Sequence, residues 1–198
     1  MMTVFVADRC VLAPASAFEI TVETAEHVVA REMLLDRQMG PKRRLKSSEK
    51  LRRSRRPAEG LALSAVDGEG KLVGTVRLWN IAAGVDADGK AIPALLLGPL
   101  AVDASAEGMG IGSRLMRAAI ARARDLGHGA ILLVGDAPYY ERFGFSSGPA
   151  GALAMPGPVD RSRFLALELV DNHLAGAAGV LVATGRRVLE RRDFRRAA

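Results

Sequence analysis

The chain has 198 residues, of which 49% are apolar and 25% charged, with a formal net charge of +6 and one cysteine. That composition supports one domain with its own core and excludes a mainly disordered chain. Cys10 has no partner within the chain and only three histidines accompany it, which excludes a disulfide framework and a thiolate-rich zinc site.

Residues 1–17 read as an N-terminal extension. Their apolar run from Val4 to Val11 is broken by Asp8 and Arg9, so no secretory leader is expected. The longest nearly apolar stretch, Ile92 to Val102, is eleven residues long and contains Pro93, Gly98 and Pro99. No membrane span is therefore expected, and a cytoplasmic location follows.

Phe18 to Glu23 alternates at period two and predicts a strand. Thr24 and Glu26 then open a run whose apolar residues Val28, Val29, Met33 and Leu34 recur at helical spacing, predicting a helix that ends near Gly40-Pro41. Pro41 to Arg56 holds nine Lys/Arg against one Glu. With Leu45 and Leu51 as its large apolar anchors, this basic strip predicts a short, mostly solvated helix closed by Pro57 and Gly60. Leu61 to Val66 and Leu72 to Trp79 flank Asp67-Gly68-Glu69-Gly70 and predict a hairpin.

After a second turn at Asp86 to Lys90, Ile92 to Val102 predicts a buried strand. Gly98-Pro99 lies inside it, and because proline has no amide to donate, a bulge or a separation from the neighbouring strand is expected there. A polar segment and the glycines 108, 110 and 112 lead into a helix from Ser113 to Leu126, with Leu115, Ala119, Ile120 and Ala123 on one face. Ala130 to Val134 follows as a strand parallel to the previous one, giving a central βαβ unit. Asp136-Ala137-Pro138 starts a short helix through Tyr139, Tyr140 and Phe143 that stops at Gly144. Gly148 to Pro158 reads as a loop and Arg163 to Val170 as a strand. From 171 onward an Ala/Gly-rich stretch with one candidate strand, Val180 to Ala183, precedes an Arg-rich tail of net charge +4. The basic strip carries +8, so the remainder of the chain carries −6.

The glycine loop is the first place where chemistry concentrates. At Gly108-Met109-Gly110-Ile111-Gly112-Ser113 the missing Cβ atoms let backbone amides approach a ligand, and the helix that follows presents unpaired N–H groups and a positive dipole end. A pyrophosphate is the expected anion. No Lys-Ser/Thr follows the glycines, which excludes a Walker loop. A dinucleotide-binding fold is disfavoured by the five residues between Val102 and Gly108 and by the antiparallel hairpin upstream, although Asp136 stands near the place of a ribose-binding acid.

Over Phe18 to Val170 the sequence resembles the GNAT superfamily of acetyl-CoA-dependent N-acetyltransferases. Leu95 to Val102 resembles that family's splayed strand, whose backbone pairs with the pantetheine arm of coenzyme A. Glu107 to Gly112 is similar to its (Arg/Gln)-x-x-Gly-x-(Gly/Ala) loop, and Tyr140-Glu141-Arg142-Phe143-Gly144-Phe145 to its Tyr-x-x-x-Gly-Phe segment. The resemblance implies a mixed α/β (α+β) fold whose twisted, largely antiparallel sheet carries a splayed pair of parallel strands. It implies acetyl-CoA as cosubstrate and no metal. Its binding residues would be Leu100, Ala101, Val102, Gly108, Met109, Gly110, Ile111, Gly112, Ser113 and Tyr140.

Two departures stand out. Glu107 replaces the usual Arg or Gln and is expected to point to solvent, and Gly135 to Pro138 lacks the asparagine that many relatives place there. Neither alters donation by backbone amides.

The implied reaction is direct attack of a primary amine on the thioester, with a backbone amide of the splayed strand steadying the oxyanion and Tyr140 protonating the departing thiolate. Without the resemblance, Tyr140 reads as an aromatic capping the core beside Phe143 and Phe145. Cys10 has no identifiable histidine partner and is not assigned as a nucleophile. Asp103, Glu107, Glu59 and Asp136 read as turn or surface residues, so no general base is assigned. Trp79 and Asn80 are candidates for the acceptor pocket, with core packing the alternative for Trp79. If the basic strip from Lys42 to Arg56 faces the pocket, it implies an anionic acceptor. The rival readings are a non-catalytic acyl-CoA-binding module and an RNA-directed enzyme or binder. Aromatic content of 5% and basic strips without interleaved aromatics argue against nucleic acid. A homodimer is left open.

Overall fold

In a computed structural model, residues 18–188 are described. Residues 1–17, with Cys10, and most of the Arg-rich tail lie outside them. The strands β1 (Phe18–Val22), β2 (Ala62–Asp67), β3 (Leu72–Val85), β4 (Ala91–Val102), β5 (Ala130–Val134) and β7 (Phe164–Glu168) form one sheet in the order β1-β2-β3-β4-β5-β7. All neighbours are antiparallel except β4 and β5. The helix α3 (Ile111–Asp125) joins those two strands, so the expected mixed sheet with a central βαβ unit is present.

The hairpin between β2 and β3 closes at Asp67, whose carboxylate accepts from the amides of Glu69 and Lys71. Asp86 does the same for Asp88 and Lys90 between β3 and β4. In both turns a short carboxylate satisfies loop amides that have no ladder partner. The β4–β5 ladder holds only Leu95 with Ile131 and Leu96 with Leu132. Beyond Leu96 the two strands diverge. On the other side of β4 the register against β3 shifts between Val76 and Leu78, at Gly98-Pro99. Both the bulge and the separation expected there are found.

Side-chain alternation splits the apolar residues between the two faces of the sheet. Leu95, Ile131 and Leu133 join Leu115, Met116 and Phe145 in a core beneath α3. Leu96, Leu132 and Ala130 join Trp79, Ile81, Leu153 and Phe164 on the opposite face. Each fully buried Leu or Phe contributes about 1.5–3 kcal/mol relative to exposure.

Several sequence expectations need correction. The helix α1 (His27–Met39) has the expected span, but Val28, Val29 and Met33 are exposed, Val29 at 70%. It buries Leu34, as expected, together with Arg31 and Leu35, and the two leucines pack with Leu72 and Ala101. Arg31 is accommodated because Glu23 and Glu32 both accept from its guanidinium, so a paired charge takes a place that apolar periodicity assigns to a valine or methionine.

The basic strip is mostly exposed, as expected, but it is not one helix. It forms a 3₁₀ turn at Pro41–Leu45 and one short helix, α2 (Glu49–Arg52). Leu51 is buried as expected, but Leu45 is 82% exposed and anchors nothing. The Gly148 to Pro158 loop contains β6 (Leu153–Ala154), which pairs in parallel with β8 (Gly179–Val180).

Residues 171–188 pack onto the sheet. Leu174, Ala177 and Leu181 are buried with the second core, and β9 (Val182–Ala183) pairs with Ile81 and Ala82 of β3 past the end of β2. The chain then crosses the residues that follow α2. Arg186 O accepts from Arg56 N at 2.8 Å, Ser54 O from Val188 N at 2.9 Å, and Gly185 O from Arg55 Nη1 at 2.6 Å. No helix among the described residues is long and apolar enough to cross a membrane.

Candidate active site

The glycine loop folds as a turn around the N-terminus of α3. Asp103 accepts from both the amide and the hydroxyl of Ser105 and pairs with Arg37 at 2.9 Å. The hydrogen bonds to Ser105 chiefly hold its carboxyl down at about 2. Gly108 and Gly110 both have φ in the left-handed region, +80° and +74°, and a Cβ on either would meet nothing within 4 Å. Backbone is therefore open to the outside at both positions. Gly110 is the N-cap of α3, which begins at Ile111, two residues before its sequence-expected start, and no side chain caps it. The first amides of α3 are thus left for an external acceptor.

Ile111 itself points inward, buried in the first core against Gly74, where an added Cβ would lie 2.8 Å from Ile111 Cγ2. It can offer a ligand only its backbone. Met109 and Glu107 are exposed, and Ser113 is half-buried.

Leu100, Ala101 and Val102 pair with Val76, Thr75 and Gly74 of β3. Their other backbone edge faces the gap left by β5, because that ladder stops at Leu96. In α4 (Ala137–Glu141) the ring of Tyr140 packs edge-on to Tyr139 and Phe145. Burial, assisted by Tyr139, pushes its phenol up to about 12. Two glycines make these positions available. A Cβ on Gly135 would lie 2.1 Å from Tyr140 Cε2, and one on Gly112 would lie 2.8 Å from the Tyr139 hydroxyl.

A cavity of about 320 Å³ joins Tyr140 and Val134 to Leu97, Gly98, Pro99 and Leu100 of β4. Its remaining wall comes from α1, α2 and β3, and includes Trp79. Trp79 Nε1 donates to Gly98 O at 2.6 Å, fixing the carbonyl just past the end of the β4–β5 ladder. Trp79 therefore belongs to both the second core and the cavity wall. Asn80 does not line the cavity; its carbonyl accepts from Thr184 and Gly185.

The basic strip, although mostly exposed, supplies Arg43, Arg44, Lys46, Arg52 and Arg53 to the same wall. Glu32 and Glu49, which sequence reasoning passed over, line it too. Burial alone would raise the Glu32 carboxyl, but hydrogen bonds from Arg43 and Arg31 outweigh it and hold the group below the usual carboxylate range. Asp103, Glu107, Glu59 and Asp136 do not line the cavity, nor do the histidines. His27 Nδ1 accepts from Thr24 N, and His173 Nε2 lies 2.8 Å from Pro93 O. Among the described residues no cluster of His, Cys, Asp or Glu could hold a metal ion.

Residues 27–145 match the sequence model of the acetyltransferase (GNAT) family. The chain belongs to that family. Its fold matches a GNAT family N-acetyltransferase (YhbS) from Escherichia coli in complex with CoA, with a TM-score of 0.70 and 27% identity over 87% of this chain and 92% of that one. A GNAT family acetyltransferase from Brucella melitensis in complex with acetyl-CoA matches with a TM-score of 0.57 and 23% identity, over 78% and 89% of the two chains. One from Staphylococcus aureus gives 0.52 and 18%, over 77% and 99%. The last two likenesses establish the fold alone. No curated protein matches the chain. As a GNAT acetyltransferase it draws its acyl group from acetyl-CoA, and the open loop at Gly108 and Gly110, with the uncapped start of α3, is compatible with that cosubstrate.

Proposed function

We propose that this GNAT protein transfers an acetyl group to the primary amine of an acceptor held in the cavity between α1, α2 and the diverging end of β4. The observation that carries the reading is that one cavity is lined by both Tyr140 and Leu97 to Leu100. A proton donor and an unpaired strand edge thus face the same space.

Bound acetyl-CoA supplies the electrophile, an acyl thioester. The amides of Gly108 to Ser113 hold its pyrophosphate, and the free edge of Leu100 to Val102 aligns its arm. A backbone N–H of that edge donates to the acyl oxygen as negative charge develops there. The amine nitrogen forms the new bond to the acyl carbon, the carbon–sulfur bond breaks, and Tyr140 gives its proton to the leaving sulfur while the amine loses one to solvent. A phenol held at about 12 stays protonated near neutral pH and so retains the proton it must donate. Acid assistance of this kind contributes about 10²- to 10⁴-fold, and alignment of the two reactants contributes the rest.

The test is release of free CoA thiol with a panel of amines. Amine-dependent release, reduced by Tyr140→Phe with acetyl-CoA affinity retained, supports the reading. Acetyl-CoA binding with no amine-dependent release favours a non-catalytic module, and unchanged turnover in Tyr140→Phe moves the proton donor elsewhere.

A further inference from the structure

The cavity that Tyr140 lines carries more positive charge than its own carboxylates neutralise. Arg43, Arg44, Lys46, Arg52, Arg53 and Arg77 face Glu32 and Glu49, an excess of four. Most of these cations have a partner. Arg43 bonds Glu32 and Asp36 at 2.5 and 2.7 Å, and Arg77 bonds Glu23 at 2.8 Å and lies over the Trp79 ring.

Arg52 is different. Its side chain is only 10% exposed, and its Nη2 carries both its contacts, with Ser48 Oγ and Glu49 Oε2, each at 3.2 Å. Among the described residues its Nε is buried without a partner, and neither of its side-chain contacts involves Nη1. A Cβ on Gly98 would stand 3.7 Å from that Nη1, so the unpaired end adjoins the point where β4 leaves β5. Burial already disfavours the charged form of Arg52, Glu49 opposes this, and Arg43 and Arg77 disfavour it further. A guanidinium with Nη1 unpaired, crowded by like charge in a concave site, favours an oxyanion that can take both the charge and the hydrogen bond.

We propose that the acceptor is a small amine that itself bears an oxyanion, and that Arg52 binds this group through Nη1 while the amine is presented towards Tyr140. Arg52 and Tyr140 line one cavity of about 320 Å³, so a single small molecule can present its amine and its oxyanion within it. Arg77 adds a second positive charge, and Arg44, Lys46 and Arg53 draw the anion in. The inference rests on the acetyl-transfer reading above, and its test separates the two.

Initial rates are compared for amino acids, their uncharged amides and aminoalkylphosphonates of matched length, with the full chain and with Arg52→Gln and Arg52→Lys. Acetyl-CoA affinity serves as the folding control for both variants. The expected result is a kcat/KM at least about 10-fold higher for an oxyanion-bearing amine than for its uncharged counterpart. This ratio should collapse towards one in Arg52→Gln and be partly kept in Arg52→Lys, which retains the charge but not the fork. The better of the carboxylate and phosphonate series identifies which oxyanion is read. A ratio near one in the unaltered chain, or one indifferent to Arg52→Gln, overturns the proposal.

Should no amine be acetylated, the acetyl-transfer reading fails, and calorimetric titration of the same compounds into the CoA-loaded protein decides the Arg52 site alone. Binding of an oxyanion-bearing amine that Arg52→Gln abolishes supports it, and no binding overturns it.

Discussion

Gly135 leaves empty the space that the Tyr140 ring occupies: a Cβ there would lie 2.1 Å from Cε2 and 3.0 Å from Cζ. The end of β5 and the start of α4 are therefore matched in size to one aromatic side chain, and Tyr140 stands where it lines the cavity because residue 135 has no side chain.

Gly135→Ala is expected to push the ring out of place. Overpacking of this kind costs about 1–3 kcal/mol, and turnover should fall about 10-fold or more, since proton donation depends on position. Acetyl-CoA affinity should fall less than turnover, because Gly135 itself does not touch the α3 loop. Steady-state kinetics beside calorimetry checks this, and unchanged kcat would show that Tyr140 need not stand where it does.

Gly110→Val should weaken acetyl-CoA binding. The residue has φ +74°, a conformation that costs a non-glycine residue about 1–2 kcal/mol, and its side chain would stand in the open space before the first amides of α3. An affinity loss of about 10-fold or more is expected by calorimetry. Gly68→Ala, in the β2–β3 turn with open space around it, is the control and should leave affinity intact.

Asp103 should stabilise the fold in a pH-dependent way. Its carboxyl is lowered from 3.8 to about 2, chiefly by the hydroxyl and amide of Ser105. The stabilisation is therefore fully present above the unfolded value and is lost as pH falls through about 2. Asp103→Ala should cost about 1 kcal/mol at neutral pH, as for other lost caps. The gap between variant and parent in urea melts should close as the pH is lowered from about 4 towards 2. A gap constant over that range would remove the carboxylate from the account.

The alkaline side of the rate profile should be flat. With the Tyr140 phenol raised to about 12, the acid form persists throughout the range in which an alkylammonium acceptor loses its proton. kcat/KM should rise with pH as the free amine accumulates and then level off, with no falling limb below about pH 10. A falling limb centred well below that would point to a different proton donor.

How much of this was legible in the sequence depended on whether a signal was local. The β2–β3 hairpin, the βαβ unit and the break at Gly98-Pro99 could be read because turn residues and period-two runs act over a few positions. The place of Arg31 on the buried face of α1 could not, because it depends partly on Glu23, a residue from before the helix, as a partner beside Glu32. Which cations of the basic strip turn towards the cavity is not legible for a similar reason. A run of cations looks solvated unless one knows that Leu51 is pinned in the second core and brings Arg52 in beside Gly98. Gly135 gave no signal at all, since the meaning of a missing side chain depends on which ring lies opposite.

The crossing of residues 185–188 over the segment after α2 has a consequence for the order of synthesis. The α3 loop and the hairpin strands leave the ribosome long before Gly185 does. A nascent chain stopped after β7 already contains everything assigned to gripping acetyl-CoA, yet Ser54 to Arg56 would lack the late strand that holds them. Such a chain is expected to take up the acyl donor before it can seat an acceptor, so that turnover waits on the arrival of residues 185–188.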